Sequence, residues 1–150
     1  MVEIIELIHF GKIAENGFAE IEVNVHFKNE DKTFNNLKAF IDTGANRSGI
    51  NEKYLIDKID ITNNETNDVD SANGDYKSKQ IPNVGISLPM TNGKFIPLDK
   101  LGTIKLEKLE YDFIIGNDIL HMCEFIYNGL SKTYILKLFQ TTMNVKINIK

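Results

Sequence analysis

The sequence predicts an all-β fold, and three observations carry that prediction. Apolar and polar residues alternate at period two along much of the chain. Asn-Gly dipeptides stand where a tight turn needs positive φ. Helical periodicity is sparse.

Taken in order, Ile4, Leu7, Ile8 and Phe10 make a somewhat irregular first strand, and Glu15-Asn16-Gly17 turns it back. Ile21, Val23, Val25 and Phe27 then alternate with Glu20, Glu22, Asn24 and His26, as in a strand with one buried face. Phe40-Ile41 closes an apolar strand, and a single helical turn fits 51–56. The polar, acidic segment 63–70 reads as an exposed loop or hairpin arm. Ala72-Asn73-Gly74 and Thr91-Asn92-Gly93 are further turns. Phe113-Ile114-Ile115 is a short apolar strand. The best helix spans 118–125, with Asn117 as its cap and Ile119, Leu120, Cys123 and Phe125 on its buried side. Met143, Val145, Ile147 and Ile149 alternate again, which predicts a closing strand over 143–150.

At 150 residues the chain is read as one domain, 1–150. The hydrophobic set reaches 42%, which excludes a disordered chain. Twenty-one acids against 17 bases give a net charge of −4, so the basic field that dominates nucleic-acid affinity is missing and no nucleic-acid partner is expected. A single Cys excludes an intrachain disulfide framework and any multi-Cys zinc site. His9, His26 and His121 show no metal-ligand spacing and read as surface or strand-face residues, so no metal is expected. No apolar run approaches the roughly 18 to 20 residues that span a bilayer. The opening MVEIIELIHF carries Glu3 and Glu6 and no basic n-region, unlike a signal peptide. A soluble, cytoplasmic protein with no membrane partner is the expectation.

Two segments carry chemistry. Residues 39–50 read Ala-Phe-Ile-Asp-Thr-Gly-Ala-Asn-Arg-Ser-Gly-Ile, an apolar strand that ends in Asp42-Thr43-Gly44-Ala45. Residues 111–120 read Tyr-Asp-Phe-Ile-Ile-Gly-Asn-Asp-Ile-Leu, an apolar strand that ends in Gly116 and enters the helix. Between them lies the hairpin tip Ser71-Ala72-Asn73-Gly74-Asp75-Tyr76.

These three pieces, in this order, resemble the retropepsin-like aspartic peptidases over roughly residues 20–140. The resemblance implies a closed barrel with a flap hairpin and one short helix near the C-terminus. It implies an aspartic endopeptidase that uses no cofactor and hydrolyses a peptide or protein substrate through an activated water. Such chemistry needs two adjacent carboxyls, one ionised to take the water's proton and one protonated to polarise the carbonyl. Two carboxylates about 3 Å apart do not both ionise easily, so they share a proton. Asp42, Thr43 and Gly44 are thus the implied catalytic residues, with Thr43 bonding the opposite loop and Gly44 permitting close approach. Ala45, Ala72, Asn73 and Gly74 are the implied substrate contacts. With one Asp-Thr-Gly in a chain too short for a duplicated architecture, the dyad must come from a C2 homodimer.

The chain departs from the family in places. The flap tip has a single Gly, Gly74. Retroviral members pair an acid after Asp-Thr-Gly-Ala with an Arg after the later Gly, but Asn46 and Asn117 stand there. Arg47, the chain's one Arg, is therefore expected to reach Asp118 instead. Residues 143–150 are a candidate dimer strand, and strand pairs from the termini are expected to extend the sheet. Ile50, Ile81 and Ile115 are candidate subsite residues. Ser71 and Tyr76 either line the cleft or decorate the flap. Asp118 is expected to support the helix start, Asp112 to be exposed, and Cys123 to be a small buried hydrophobe. Two alternatives compete: Asp42-Thr43-Gly44 as a plain surface turn, and a catalytically silent peptide-binding or dimerisation module of the same fold.

Overall fold

The computed structural model of the chain describes residues 2–70, 74–106 and 110–143. Its elements run β1 (Val2–Lys12), β2 (Glu20–Phe27), β3 (Lys32–Ile41), β4 (Gly49–Asn51), α1 (Glu52–Leu55), β5 (Thr66–Val69) and β6 (Tyr76–Ser87). A 3-10 turn at Pro89–Thr91 leads to β7 (Ile96–Ile104), then β8 (Phe113–Ile115), α2 (Asn117–Leu120), β9 (Cys123–Asn128) and β10 (Thr133–Met143).

Six strands close on themselves in the order β2-β3-β8-β4-β7-β6, and the β2–β6 pairing completes the ring. Most neighbours are antiparallel, but β3–β8 and β4–β7 run parallel. Two short strands are therefore central: β8 lies between β3 and β4, and the β3–β4 connection arches past its end. That connection is the Asp42 segment. β5 hangs on β6 as a hairpin arm, in register from Thr66↔Lys79 to Val69↔Tyr76.

The period-two pattern of β2 does what amphipathic strands do. Ile21, Val23, Val25 and Phe27 are buried, while Glu22 faces solvent. They meet Leu37, Ile50, Ile86, Leu101 and Phe113 in one core inside the barrel. On the other face of β3 and β8, Phe40, Tyr111 and Ile114 form a smaller cluster with Phe18 stacked on Phe40 at 4.6 Å.

The strands from the two ends of the chain do not extend the barrel sheet. They form a second sheet of order β1-β10-β9, with β1 and β10 antiparallel along their whole length. Tyr134, Leu136 and Leu138 turn its inner face toward the common core. Gly11 matters here: a Cβ on it would meet the Tyr134 ring at 2.1 Å. The outer face stays open, with Ile4 70% and Phe10 73% exposed.

Two expectations need correction. The C-terminal helix is one turn, not two: α2 stops at Leu120, and Cys123 and Phe125 belong to β9. Phe139 N donates to Met122 O at 3.0 Å, which draws the chain into the sheet there. Asn117 is the first residue of that turn, and Gly116 is its N-cap. The turn at Asn51 is as expected, with the Asn51 side chain accepting from Lys53 N. Beyond Met143, the expected strand 143–150 lies outside the described residues.

Candidate active site

The Asp42 loop is held by backbone geometry on both sides. Asp42 N donates to Ile115 O at 2.9 Å, carrying the β3–β8 ladder one step past the strand. Ala45 N returns to Asp42 O at 3.2 Å, closing a tight turn. Gly44 N donates to the Asp42 carboxylate Oδ1 at 3.0 Å and fixes the side chain in one orientation. A Cβ on Gly44 would stand 3.3 Å from that oxygen. Asp42 is half-buried and Thr43 and Gly44 are exposed, so the loop offers its polar groups outward. Ala45 packs on the Phe40–Tyr111–Ile114 cluster, which anchors the loop's far end.

The structure brings the two sequence motifs together. Asn117 N donates to Ala45 O at 2.8 Å, and Asn117 Nδ2 to Thr43 O at 3.0 Å. Ser48, buried beneath them, is the node. Its hydroxyl donates to Asp118 Oδ1 at 2.6 Å and accepts from Gly116 N at 2.9 Å. Its amide donates to the same carboxylate at 3.0 Å. Gly116 is required by this closeness: a Cβ there would lie 2.5 Å from the Arg47 carbonyl carbon and 2.8 Å from Ser48 N. Sequence reasoning gave Ser48 no role. The only sequence signal was a small hydroxyl residue six positions after the Asp and an acid after Gly-Asn.

The other acids are already employed. Asp118 Oδ1 also accepts from Ile119 N at 2.9 Å, the helix-start role expected of it. It makes no ion pair with Arg47. Among the described residues, ion pairs join Lys38 to Glu20, Lys100 to Glu65 and Lys137 to Glu124. The Ser48 hydrogen bonds take the place of the expected Arg47–Asp118 pair. Asp112 is half-buried rather than exposed, because its carboxylate accepts from Lys38 N at 3.0 Å and latches β3.

Ile50, Ile81 and Ile115 are wholly buried in the barrel core, so they are not subsite residues. Cys123 sits half-buried on β9 with Sγ 3.5 Å from Ile119 O, and burial pushes its thiol up to about 11. A thiol so rarely ionised is a poor nucleophile.

The β5–β6 hairpin carries the remaining candidates. Ser71, Ala72 and Asn73 lie outside the described residues. Gly74 has φ +111°, a conformation that L side chains rarely adopt. Tyr76 is half-buried, and that burial raises its phenol above the ordinary value. A groove of about 570 Å³ is lined by Arg47 and Asp118, by Asn67 of β5, and by Pro97, Leu98, Asp99 and Lys100 of β7. A similar groove of about 590 Å³ is formed by α1 and the loop after it, through residues 52–62.

Among the described residues there is no group of three or more His, Cys, Asp and Glu able to hold a metal ion. No helix among them is long and apolar enough to cross a membrane.

Neither a protein-family model nor a curated protein matches this sequence. Among solved structures, the chain is similar to a retropepsin-like aspartic protease from Rickettsia conorii, with a TM-score of 0.61 and 20% identity. The likeness covers 95% of this chain and 97% of that one. A closed six-stranded barrel, the short helix after β8 and this near-complete overlay give one conclusion: the chain has a retropepsin-like fold.

Proposed function

We propose that the protein is an aspartic endopeptidase, active as a homodimer in which Asp42 of each chain faces its symmetry mate. The observation that carries this reading is the Asp42 loop. It holds one carboxylate in a fixed orientation through Gly44 N, on a turn whose outermost residues are exposed. Asp118 and Asp112 are committed to Ser48 and to the Lys38 amide, so neither supplies the second carboxyl. A second copy is the natural source.

In this reading one Asp42 is ionised and takes a proton from water, while the other is protonated and polarises the scissile carbonyl. Thr43 hydrogen-bonds the partner's loop, and Gly44 lets the two loops approach. The β5–β6 hairpin acts as the flap, and Ala72, Asn73 and Gly74 are the proposed substrate contacts. It adds a strand-like partner to an extended peptide and excludes water. Ala45 lies beside the bound chain. The substrate is a peptide or protein and the site of action is the cytoplasm.

The test is Asp42→Asn. Wild-type protein should cleave a peptide library between about pH 3 and 7, with activity that falls faster than linearly on dilution. The variant should keep its fold and lose cleavage. Peptide binding by both proteins with cleavage by neither would favour a silent binding module.

A further inference from the structure

We propose that Arg47 reads an acidic side chain of the bound peptide and so makes the protein selective for substrates carrying Asp or Glu at one position near the scissile bond. The inference rests on the peptide-cleaving reading above and adds to it a substrate class.

Position comes first. Arg47 follows Asp42 by five residues and lines the groove that it shares with Asn67 of β5 and residues 97–100 of β7. In this proposal one side chain of the extended peptide held at Asp42 reaches into this groove. The base of the Arg47 side chain is rigid. Its own carbonyl lies against Gly116, and the next residue, Ser48, is tied to Asp118 and Gly116 by hydrogen bonds through its amide and hydroxyl. A side chain that springs from an immobile backbone loses less freedom on gripping a ligand.

Charge comes second. Four charged residues line the groove: Arg47, Asp99, Lys100 and Asp118. Asp118 is occupied by Ser48 and Ile119 N. Lys100 is bound to Glu65 at 3.1 Å. Asp99 lies on the β7 wall, and among the described residues no ion pair joins it to Arg47. Arg47 thus has no ion pair among the described residues. It is also the chain's one Arg, amid lysines elsewhere. A planar guanidinium grips a carboxylate through two parallel hydrogen bonds, which a lysine does not do. A peptide lying over it displaces water and strengthens that attraction.

The experiment uses the full chain and matched peptides that differ only by Asp, Asn or Lys at successive positions. At one position wild-type protein should prefer Asp over Asn by about tenfold in kcat/KM, and the preference should shrink as salt is raised. Arg47→Gln should erase the preference, Arg47→Lys should keep part of it, and Arg47→Glu should turn it toward Lys. The same peptides, fluorescently labelled, are titrated into Asp42→Asn protein with and without Arg47→Glu. Cleavage with no charge preference, or a preference unchanged in Arg47→Glu, overturns the Arg47 assignment and leaves the peptidase reading standing. Absence of cleavage, with acidic-peptide binding that Arg47→Glu abolishes, overturns the peptidase reading and leaves the assignment standing. Neither cleavage nor binding overturns both.

Discussion

Ser48 and Asp118 meet across the base of the Asp42 loop, hydroxyl to carboxylate, at 2.6 Å. The same hydroxyl oxygen accepts the Gly116 amide at 2.9 Å, so one buried atom joins the two motif-bearing segments. Ser48→Ala would leave the Gly116 N–H unpaired and strip a charge-assisted bond from the carboxylate. The expected cost is about 1–3 kcal/mol. Calorimetry should show a Tm several degrees lower; an unchanged Tm would mean that the hydroxyl is dispensable to the clamp.

Gly116→Ala should be at least as severe. The new methyl would overlap backbone atoms of Arg47 and Ser48, at 2.5 to 2.8 Å, where no side-chain rotation brings relief. Overpacking of this kind costs typically about 1–3 kcal/mol. Because the clash falls on the loop's own support, activity should drop further than stability explains. Denaturant unfolding alongside peptide cleavage checks this, and equal losses in both would contradict it.

Cys123 offers a pH test at the alkaline end. Burial raises its thiol from 9.0 to about 11, so the folded state favours the neutral form. The sign follows: this contribution is fully present below pH 9 and is lost as pH rises from there toward 11. Burial raises the Tyr134 phenol too, so it adds a loss in the same direction above its ordinary value of 10.0. Cys123→Ser should flatten the alkaline fall, and Tyr134→Phe should flatten what remains. In native protein at pH 8 the thiol should react slowly with a disulfide reagent, and rapidly after unfolding.

His9 works at the acid end. It is half-buried, with its ring 5.7 Å from that of Tyr134, and desolvation lowers its pKa below the ordinary 6.5. Its folded state favours the neutral ring, so this stabilisation is present above pH 6.5 and is lost as pH falls below it. Urea midpoints measured between about pH 5 and 7.5 should fall toward acid, and less steeply in His9→Gln. Equal slopes would show that His9 is solvated in both states.

Much of the barrel was legible because burial on one face writes period two into the sequence. β2 is the clear case, with Val25 and Phe27 fully buried. β3 was legible only at Phe40-Ile41. Its first half is interrupted by a register shift opposite Val23–Val25 and by Asn36 at φ 60°, which breaks the alternation. β6 contains Pro82 and Gly85, residues that argue against a strand of 12. The start of β9, Cys123 to Phe125, was read as helix because Ile119, Leu120 and Cys123 fall at helical spacing. Its signal was the Asn128-Gly129 turn that joins it to β10. In the site, Asp42-Thr43-Gly44 was visible as a local word. The Ser48–Asp118 contact was not, since its partners are 70 residues apart and only the fold brings them together.

The long pairing of β1 with β10, from Val2↔Met143 to Lys12↔Thr133, has a consequence for how the molecule is made. During translation β1 leaves the exit tunnel before nearly everything it will bind, and its backbone edge travels without a mate until β10 emerges. Joining partners so distant along the chain is an entropically expensive ring closure, and folds dominated by such pairings form slowly. Newly synthesised copies thus pass through an interval with a bare, sticky margin, when chaperone capture and premature clumping compete with completion of the native sheet.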